Sequence, residues 1–527
     1  MNFDDILSEI NGFGKFQIVL FLIQVLSRIS LPCHFLLSNF IAAVPPHHCD
    51  IRGIEDGGLF VNLTFNQKVI VGIPTEQDGA PSSCLMFTNP QYQYLFSSNT
   101  SEETNQVTFV FGLKLKLQST ATVFFIGVMT GAPLFGYLSD RFGRRPLLLV
   151  SYLSSLTFAI LSAVSTSFVM FAIMRFLTGM FLAGRSIISI ALNIEWCSTK
   201  HRTFSGIIIS LDWTLGNWLL VGIAYGINEW RTLILAATSP LILAVMVWRW
   251  LPESARWLIA NGKAEAAQYY MMKCAKMNKG SKGLTTITPE TVNLSRLRQW
   301  LGQAPATLRL KEIYNLFIIT NKFGVAFTYY GITLNISGFG LNPHLTQFIF
   351  ASIEMPMKIA VYFSLEKLGR RRCEVTALLA TSLLLFINIF VSKEKWLIRT
   401  IVGVLGKSTS EASFTIMYLY TTELYPTVVR LVSYTAFLAR LGVSVSPLVV
   451  LSEEAWHLLP ACIYCAVALA SGVIASLLPE TLNAQLPEFI EDIEKTSPVK
   501  VTDHTLMANG VLINSFLLFF LYIKLHI

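Results

Sequence analysis

The feature that most limits the fold of this chain is a series of twelve long apolar stretches. They lie at 16–44, 119–139, 146–166, 168–192, 203–226, 231–251, 313–334, 345–365, 374–392, 396–420, 431–451 and 458–478. An apolar stretch of about 20 residues forms a helix that crosses the hydrocarbon core of a bilayer. Several stretches contain glycine, proline or a charge, which is typical of helices that line an interior. The sequence therefore predicts an all-α integral membrane protein with twelve transmembrane helices.

The composition supports this interpretation and excludes other classes. Only 14% of the 527 residues are charged and the mean hydropathy is +0.55, whereas about 25% of the residues of a soluble domain are charged. The net charge of +8 comes from short basic clusters between apolar runs, and a nucleic-acid-binding face would need a basic stripe on a soluble fold. We expect a lipid bilayer as the environment and no nucleic-acid partner.

Lysine and arginine in the connecting segments predict the orientation. The segments 140–145 (DRFGRR), 366–372 (EKLGRRR) and 252–312 are basic and should be cytosolic, which places 45–118 outside. Asn62 and Asn99 then begin accessible N-x-Ser/Thr glycosylation motifs. The predicted organisation is a cytosolic segment 1–15, a first half 16–251, a cytoplasmic linker 252–312, a second half 313–478 and a tail 479–527 with an apolar end.

An internal repeat divides the chain into two halves. The matched segments, separated by 224 to 228 residues, are Gly143-Arg144-Arg145 with Gly369-Arg370-Arg371, Glu195-x6-Arg202 with Glu423-x6-Arg430, Pro252-Glu253-Ser254 with Pro479-Glu480-Thr481, and Arg175-x3-Gly179 with Arg399-x3-Gly403. Four matches in one order at one spacing indicate two parallel six-helix repeats, an arrangement that secondary transporters use.

Several segments resemble the major facilitator superfamily and, within it, the organic ion transporters of solute carrier family 22. They are AAVPPHHC (42–49), YLSDRFGRR (137–145), PESARWL (252–258), YGITLNISGFGLN (330–342), TELYPT (422–427) and PETL (479–482). The likeness is strongest to the organic anion transporter 2 type. It implies a carrier that needs no cofactor. Residues 91–118 and the tail from about 505 depart from the family pattern.

Three cations inside predicted spans are the candidates for binding cargo, because an unpaired charge at the bilayer centre is costly. Lys358 has Glu354 four residues earlier, and Lys407 has Glu411 four residues later, so each lysine has a local acid. Arg440 has no acid within one turn, and its guanidinium suits a carboxylate. The alternatives for Arg440 are an acid on another helix or an interfacial position.

By resemblance, further residues line the central pocket of the family: Asn39, Tyr225, Tyr329, Tyr330, Phe414 and Tyr418. On sequence alone, an aromatic residue in an apolar helix is more often a packing residue. Asp212, Trp213, Asn217 and Trp218 are polar or aromatic enough to face the same cavity. Arg185 either pairs with Asp212 or adds positive potential, and the sequence leaves both readings open.

The cytoplasmic charges resemble the inner-gate network of the family. They are Asp140, Arg141, Arg144, Arg145, Glu195 and Arg202, mirrored by Arg370, Arg371, Glu423 and Arg430. Such pairs hold two halves together in one state and part in the other. The alternative, a topology signal alone, explains the arginines but leaves the matched acids unexplained.

The cysteines and histidines indicate neither a disulfide scaffold nor a metal site. Cys49 and Cys84 are the two of the eight cysteines in a polar segment that we expect outside the cell, where they can pair. The eight histidines are dispersed and show no metal-ligand spacing. We therefore expect one disulfide and no metal.

The sequence favours a polyspecific organic anion transporter that works by alternating access. The resemblance implies exchange for intracellular dicarboxylates or facilitated movement, at the basolateral plasma membrane of polarised epithelia. One chain suffices for this mechanism, and the oligomeric state stays open. The alternatives are a transport-incompetent sensor or misprocessed variant, and a carrier of organic cations or zwitterions.

Overall fold

A computed structural model describes residues 7, 13–41, 63–73, 85–87, 92, 107–109, 113–197, 201–278, 309–334, 342–391, 395–424, 430–450, 452, 456 and 458–482. The helices of the first half are α1 (Lys15–Arg28), α2 (Ser30–Phe35), α3 (Ser38–Ile41), α4 (Phe65–Gly72), α5 (Leu113–Phe142), α6 (Arg144–Ala163), α7 (Phe168–Glu195), α8 (Arg202–Gly226), α9 (Trp230–Thr238) and α10 (Pro240–Val247).

The linker and the second half are also helical. A 3₁₀ turn (Trp248–Trp250) precedes the linker helices α11 (Ala255–Ala260) and α12 (Ala264–Met277). The second half contains α13 (Arg309–Leu334), α14 (Pro343–Leu368), α15 (Arg370–Phe390), α16 (Trp396–Leu424), α17 (Arg430–Val449) and α18 (Leu459–Ala475).

Each of the twelve predicted spans coincides with a helix or a broken helix, and the all-α fold is confirmed. The first span is interrupted at Ile29, which ends α1 and begins α2. The sixth span breaks before Pro240, because proline has no N–H to continue the preceding helix. Among the described residues, seven stretches are apolar and long enough on their own to cross a membrane. α16 is more polar than these seven stretches because it contains the buried charges Lys407 and Glu411.

The described part of segment 45–118 has a little regular structure of its own. It contains α4 and the short strands β1 (Leu85–Phe87) and β2 (Val107–Phe109). The strands pair antiparallel with Leu85 opposite Phe109. Among the described elements, β1 also contacts α4.

Glycines allow α5 and α7 to pack closely in the first half. A Cβ added at Gly127 would lie 2.0 Å from the carbonyl oxygen of Phe176, and one added at Gly179 would lie 2.3 Å from that of Phe124. Gly131 shows the same contact with Met180. Gly127 and Gly131 form a GxxxG pattern, which lets helix backbones approach in membranes. This glycine pattern was not among the features predicted from the sequence.

The linker is attached to the start of the first span. The Asn278 side chain accepts a hydrogen bond from the Phe16 N–H at 2.9 Å and donates one to Gln17 Oε1 at 2.9 Å. Gln17 Nε2 in turn lies 3.5 Å from Cys274 Sγ on α12. Burial raises the pKa of the Cys274 thiol to about 12. The described part of the linker up to Asn278 therefore packs as part of the first half.

An apolar cluster joins the two halves at mid-height. It contains Phe35, Phe124 and Phe125 from the first half and Tyr329 and Tyr330 from the second. Phe125 and Tyr330 meet edge to face with their ring centroids 5.4 Å apart. This cluster places the interior faces of α5 and α13 against each other and positions the site described next.

Candidate functional site

Arg440 lies in the middle of α17, which packs against α5 of the first half. Its Nη1 donates a hydrogen bond to the backbone carbonyl of Val128 at 3.3 Å. Among the described residues, Arg440 forms no ion pair with an acid. The guanidinium is surrounded by protein and is nevertheless partly accessible. A cation in this position can accept an anionic ligand.

Two tyrosines and a lysine surround Arg440. The phenol groups of Tyr330 and Tyr418 lie close enough to interact with the guanidinium electrostatically. Tyr418 is 41% exposed although protein surrounds it, as expected for a residue that lines a cavity. Lys322 on α13 also lies within electrostatic range of Arg440. Lys322 is not among the predicted site residues, although its position as a charge inside the seventh predicted span is visible in the sequence.

Aromatic rings form one wall beside these charges. Tyr329 and Phe414 stack with centroids 4.7 Å apart and planes inclined by 28°. Tyr330 contacts both rings edge-on, at 5.1 Å from Tyr329 and 6.3 Å from Phe414. Tyr330 connects this group of rings to Arg440, which also has Tyr418 within electrostatic range. That these residues line a cargo pocket stays a prediction from the resemblance. Aromatic faces of this kind contact the apolar part of an amphipathic ligand.

Two lysines and two glutamates form a buried charge cluster between α14 and α16, here called the quartet: Glu354, Lys358, Lys407 and Glu411. Lys358 Nζ lies 3.3 Å from Glu411 and 3.6 Å from Glu354. Lys407 Nζ lies 3.1 Å from Glu354 and 3.9 Å from Glu411. All four side chains are at most 4% exposed. Both predicted i,i+4 pairs exist, but the shorter contacts cross between the helices.

The quartet also contacts the aromatic wall and the first half. The Tyr329 hydroxyl donates to Glu354 at 3.0 Å, and Lys407 Nζ lies 3.4 Å from the centroid of the Tyr329 ring. Lys358 donates to the carbonyl of Ser210 at 3.0 Å and to the hydroxyl of Thr214 at 3.2 Å, both on α8. With two positive and two negative groups, the quartet adds no net charge to the site.

Asn39 and Tyr225 lie apart from Arg440, where the halves meet at their predicted extracellular ends. Asn39 Nδ2 donates to the carbonyl of Thr333 at 3.0 Å and to Gln347 Oε1 at 3.2 Å. Tyr225 is 79% exposed and meets the His344 ring edge-on at 6.2 Å. In this conformation both residues contact the second half, and their place in a central pocket stays a prediction.

The polar residues of α8 each find a different partner. Trp213 Nε1 donates to the Tyr329 hydroxyl at 3.1 Å, and Trp218 Nε1 donates to Ser352 at 3.2 Å. Asp212 forms a buried ion pair with Arg28 of α1 at 2.5 Å. The sequence left two roles open for Arg185. The first, an ion pair with Asp212, is wrong, because among the described residues Asp212 pairs with Arg28.

The described gate charges of the first half pair within that half. Arg144 begins α6 and donates to both carboxylate oxygens of Glu195, at 2.8 and 3.2 Å. The same guanidinium lies 2.9 Å from Asp140. Arg141 stacks on Phe142, with its guanidinium carbon 5.4 Å from the ring centroid. These contacts join the ends of α5, α6 and α7 that the sequence predicts to be cytoplasmic.

Gly143 and Gly369 make equivalent turns before α6 and α15, with φ of 102° and 87°. At these positive values a side chain is strained, so glycine is favoured. Glu253 accepts hydrogen bonds from the backbone N–H of Arg144 at 3.0 Å, and Glu480 accepts from that of Arg370 at 2.8 Å. Both glutamates belong to the matched repeat segments, but their capping role was not predicted from the sequence.

Arg145 and Arg371 contribute their backbone to the same caps. The Arg145 N–H donates to Glu253 at 3.1 Å, and the Arg371 N–H donates to Glu480 at 3.2 Å. The Arg145 side chain stacks on Trp248, 4.9 Å from its ring centroid. The remaining predicted site residues have side chains outside the described residues: Cys49, Asn62, Cys84, Asn99, Arg202, Glu423 and Arg430.

Comparisons of the sequence with known proteins give a consistent family. Residues 79–497 match the family described as "Sugar (and other) transporter". The chain is 41% identical to solute carrier family 22 member 7 of Rattus norvegicus over 94% of this chain and 99% of the rat protein. It is 39% identical to the Homo sapiens member 7, over 94% and 97% of the two chains. Its identity to member 6 of Rattus norvegicus is 31%, over 94% and 95%.

Comparison with solved structures gives the same architecture. A partially occluded inward-open structure of the xylose transporter XylE from E. coli superimposes with a TM-score of 0.62 at 15% identity, over 88% of this chain and 98% of XylE. An inward-open structure of XylE gives a TM-score of 0.61 at 16% identity, over 91% and 99%. At this identity the likeness concerns the fold alone. The chain belongs to solute carrier family 22 and has the fold of the major facilitator superfamily.

Proposed function

We propose that this membrane transporter is a polyspecific carrier of small amphipathic organic anions and that Arg440 binds their anionic group. The observation that carries the proposal is the environment of Arg440. It is a partly accessible guanidinium in the interior, without an acidic partner among the described residues. Its planar fork fits a carboxylate better than a single ammonium does.

The distribution of charge around the interior favours an anion over a cation. The quartet is neutral, since each lysine lies near both glutamates. Asp212 is neutralised by Arg28. The electrostatic surplus near the aromatic wall therefore comes from Arg440, with Lys322 within its range. This arrangement does not favour the alternative of an organic cation carrier.

The aromatic wall accounts for polyspecificity. Tyr329, Tyr330 and Phe414 present ring faces and edges and contribute few directional polar contacts to a ligand. Contacts of this type select for apolar area rather than for one molecular shape. A ligand with one anionic group toward Arg440 and a flat apolar body along this wall satisfies both features.

The contacts between the two halves support a mechanism of alternating access. Asn39 bridges to Thr333 and Gln347, and Phe40 stacks on His344 with centroids 5.1 Å apart. These contacts join the halves at the predicted extracellular end, whereas the described contacts of Arg144 and Arg145 lie within the first half and its linker. We infer that this conformation is closed toward the outside, and that rocking of the halves about the interior site exposes it to each side in turn.

The transport mode and the location follow from the family resemblance. We propose exchange for intracellular dicarboxylates or facilitated movement down a gradient, at the basolateral plasma membrane of polarised cells. A dicarboxylate carries the anionic group that Arg440 requires, so one site can bind both the cargo and the counter-substrate in alternation. No step of this cycle requires a cofactor.

The test is the uptake of labelled aromatic monocarboxylates in cells, normalised to the amount of transporter at the surface. Arg440→Lys keeps the charge and loses the two-point contact. Since a hydrogen bond to a charged group contributes about 1.5–3 kcal/mol, uptake should fall about tenfold or more. Arg440→Asp should abolish anion uptake and admit weak uptake of an organic cation.

Lys358→Ala and Lys407→Ala are the matched controls, because each lysine lies in the neutral quartet and not at the anion. Both should reduce normalised uptake less than Arg440→Lys does. Normal uptake by Arg440→Lys, or a larger loss in either lysine variant, would show that Arg440 does not anchor the anion. A wild-type protein at the surface that transports no anion at all would instead favour the transport-incompetent alternative.

A further inference from the structure

Arg185 is a buried arginine that forms no ion pair with an acid among the described residues, and it lies in the other half of the molecule from Arg440. It occupies the middle of α7 and is 0% exposed. Its Nη1 donates to the hydroxyl of Ser30 at 2.9 Å. Its Nε and Nη2 have no hydrogen-bond partner among the described residues. A buried charge is costly unless it is paired.

Among the residues that the structure describes, no acid near Arg185 is free to compensate its charge. Asp212 is near enough to influence it electrostatically, but its carboxylate already binds Arg28 at 2.5 Å. Arg28 also lies near Arg185 and repels it. The three groups together carry a net charge of one positive unit, so a single monovalent anion would balance them.

The groups around Arg185 provide donors in excess of acceptors. Arg28 Nη1 and the Tyr152 hydroxyl have no hydrogen-bond partner within the described part of the chain. The ring of Tyr152 lies 6.0 Å from the guanidinium carbon of Arg185. Tyr152 is 0% and Arg28 6% exposed. A buried site lined by guanidinium and hydroxyl donors has the chemistry of an anion site.

We propose that Arg185, with Arg28, Ser30 and Tyr152, forms a site for a small monovalent inorganic anion of the halide class, separate from the cargo site at Arg440. The ligand is small because the surrounding side chains are buried and leave no open face toward the interior. The site differs from that of Arg440 in its accessibility and in the half that provides it.

The elements that contribute to the site give the anion a structural role. Arg28 and Ser30 flank Ile29, where the first span breaks into α1 and α2. Tyr152 belongs to α6 and Arg185 to α7. A bound anion would fix this break against the neighbouring helices within one half. We therefore expect it to remain bound while the two halves move relative to each other.

The experiment uses the full-length protein, purified in detergent, with chloride replaced by isethionate at constant ionic strength. The readout is the midpoint of thermal unfolding. A ligand that binds only the native state raises this midpoint in a saturable way. For wild type, we expect the midpoint to rise with chloride and level off. Tyr152→Phe keeps the ring and removes the hydroxyl, so the half-saturating chloride concentration should rise about tenfold.

Arg185→Met and Arg440→Met are the matched pair of variants. Arg185→Met removes the unpaired buried charge, so it should lose the chloride response and be no less stable than wild type in isethionate. Arg440→Met should keep the full response even though it loses anion uptake. That result separates this inference from the proposed function, because either can fail without the other.

Three outcomes would overturn the inference. They are a chloride-independent midpoint in wild type, an undiminished response in Arg185→Met, and loss of the response in Arg440→Met. If Arg185→Met does not fold, the result for Tyr152→Phe decides. This variant loses only one hydroxyl, so an unchanged half-saturating chloride concentration would contradict the proposed site.

Discussion

Glu253 and Glu480 occupy equivalent positions in the two halves, and each caps the helix that follows a glycine turn. The carboxylate of Glu253 accepts the N–H of Arg144 at 3.0 Å, and that of Glu480 accepts the N–H of Arg370 at 2.8 Å. Carboxylates are favourable at helix N-termini, where N–H groups lack partners. The surroundings differ, because Glu253 is 8% exposed whereas Glu480 is exposed.

This difference in burial predicts unequal effects of one substitution. Glu253→Ala leaves buried N–H groups without an acceptor, and we expect a loss of about 1.5–3 kcal/mol of stability. Glu480→Ala should cost less, since water can replace the carboxylate. The measurement is thermal unfolding of the purified protein, followed by tryptophan fluorescence. An equal or larger effect at Glu480 would contradict this account.

The two-point pair between Arg144 and Glu195 predicts an effect on turnover rather than on cargo affinity. Glu195→Arg places two cations together at the predicted cytoplasmic ends of α6 and α7, and we expect slower uptake at an unchanged amount of surface protein. The charge swap Arg144→Glu with Glu195→Arg should recover part of the rate. Glu423→Arg tests the corresponding position of the second half. Unchanged uptake rates in both Glu195→Arg and Glu423→Arg would show that these charges act only as signals for membrane topology.

The helices and the division into halves could be predicted because both depend on information local in the sequence. Apolar stretches predict the twelve spans, seven of which are long and apolar enough on their own among the described residues, and a constant offset between motifs reveals the repeat. The i,i+4 pairs of the quartet were predictable for the same reason, since both partners lie on one helix. The shorter contacts between α14 and α16 depend on helix register, which local patterns do not specify.

The partner of Asp212 shows why some contacts of the candidate site could not be predicted from the sequence. The sequence offered Arg185, a charge in a neighbouring span, but the structure places Arg28 at 2.5 Å. Arg28 ends α1, and its approach to α8 depends on the break at Ile29 and on how the helices pack. This ion pair depends on tertiary packing, which cannot be read from a short stretch of the sequence. The same holds for Asn39, which bonds across the two halves.

The predicted external segment provides a test of topology that is independent of the site. Cys49 and Cys84 lie outside the described residues, and their pairing remains a prediction from the sequence. A membrane-impermeant thiol reagent should label neither cysteine in intact cells until a reductant is added. Labelling of both without reductant would rule out the disulfide. Single-cysteine variants, Cys49→Ser and Cys84→Ser, should each expose the remaining thiol.

The glycosylation motifs test the same topology by mobility. Treatment with a glycosidase should shift the mobility of the wild-type protein, and the double variant Asn62→Gln with Asn99→Gln should migrate as the treated protein does. An untreated wild type that already migrates like the double variant would contradict the placement of segment 45–118 outside the cell.

The last prediction concerns the quartet, in which Lys407 and Glu354 make the shortest ion pair at 3.1 Å. Lys407→Met leaves one uncompensated negative charge, and Glu354→Gln leaves one positive charge. Removing one partner of a buried pair costs about 3–5 kcal/mol, whereas removing both is often nearly neutral. The double variant should therefore unfold at a higher temperature and reach the surface in larger amounts than either single variant. Arg440→Met is the control, because it removes a cation that has no acidic partner among the described residues and should not need a second substitution. If the losses of the two single variants simply add in the double variant, the charges are not coupled, and the quartet does not stabilise the second half as one unit.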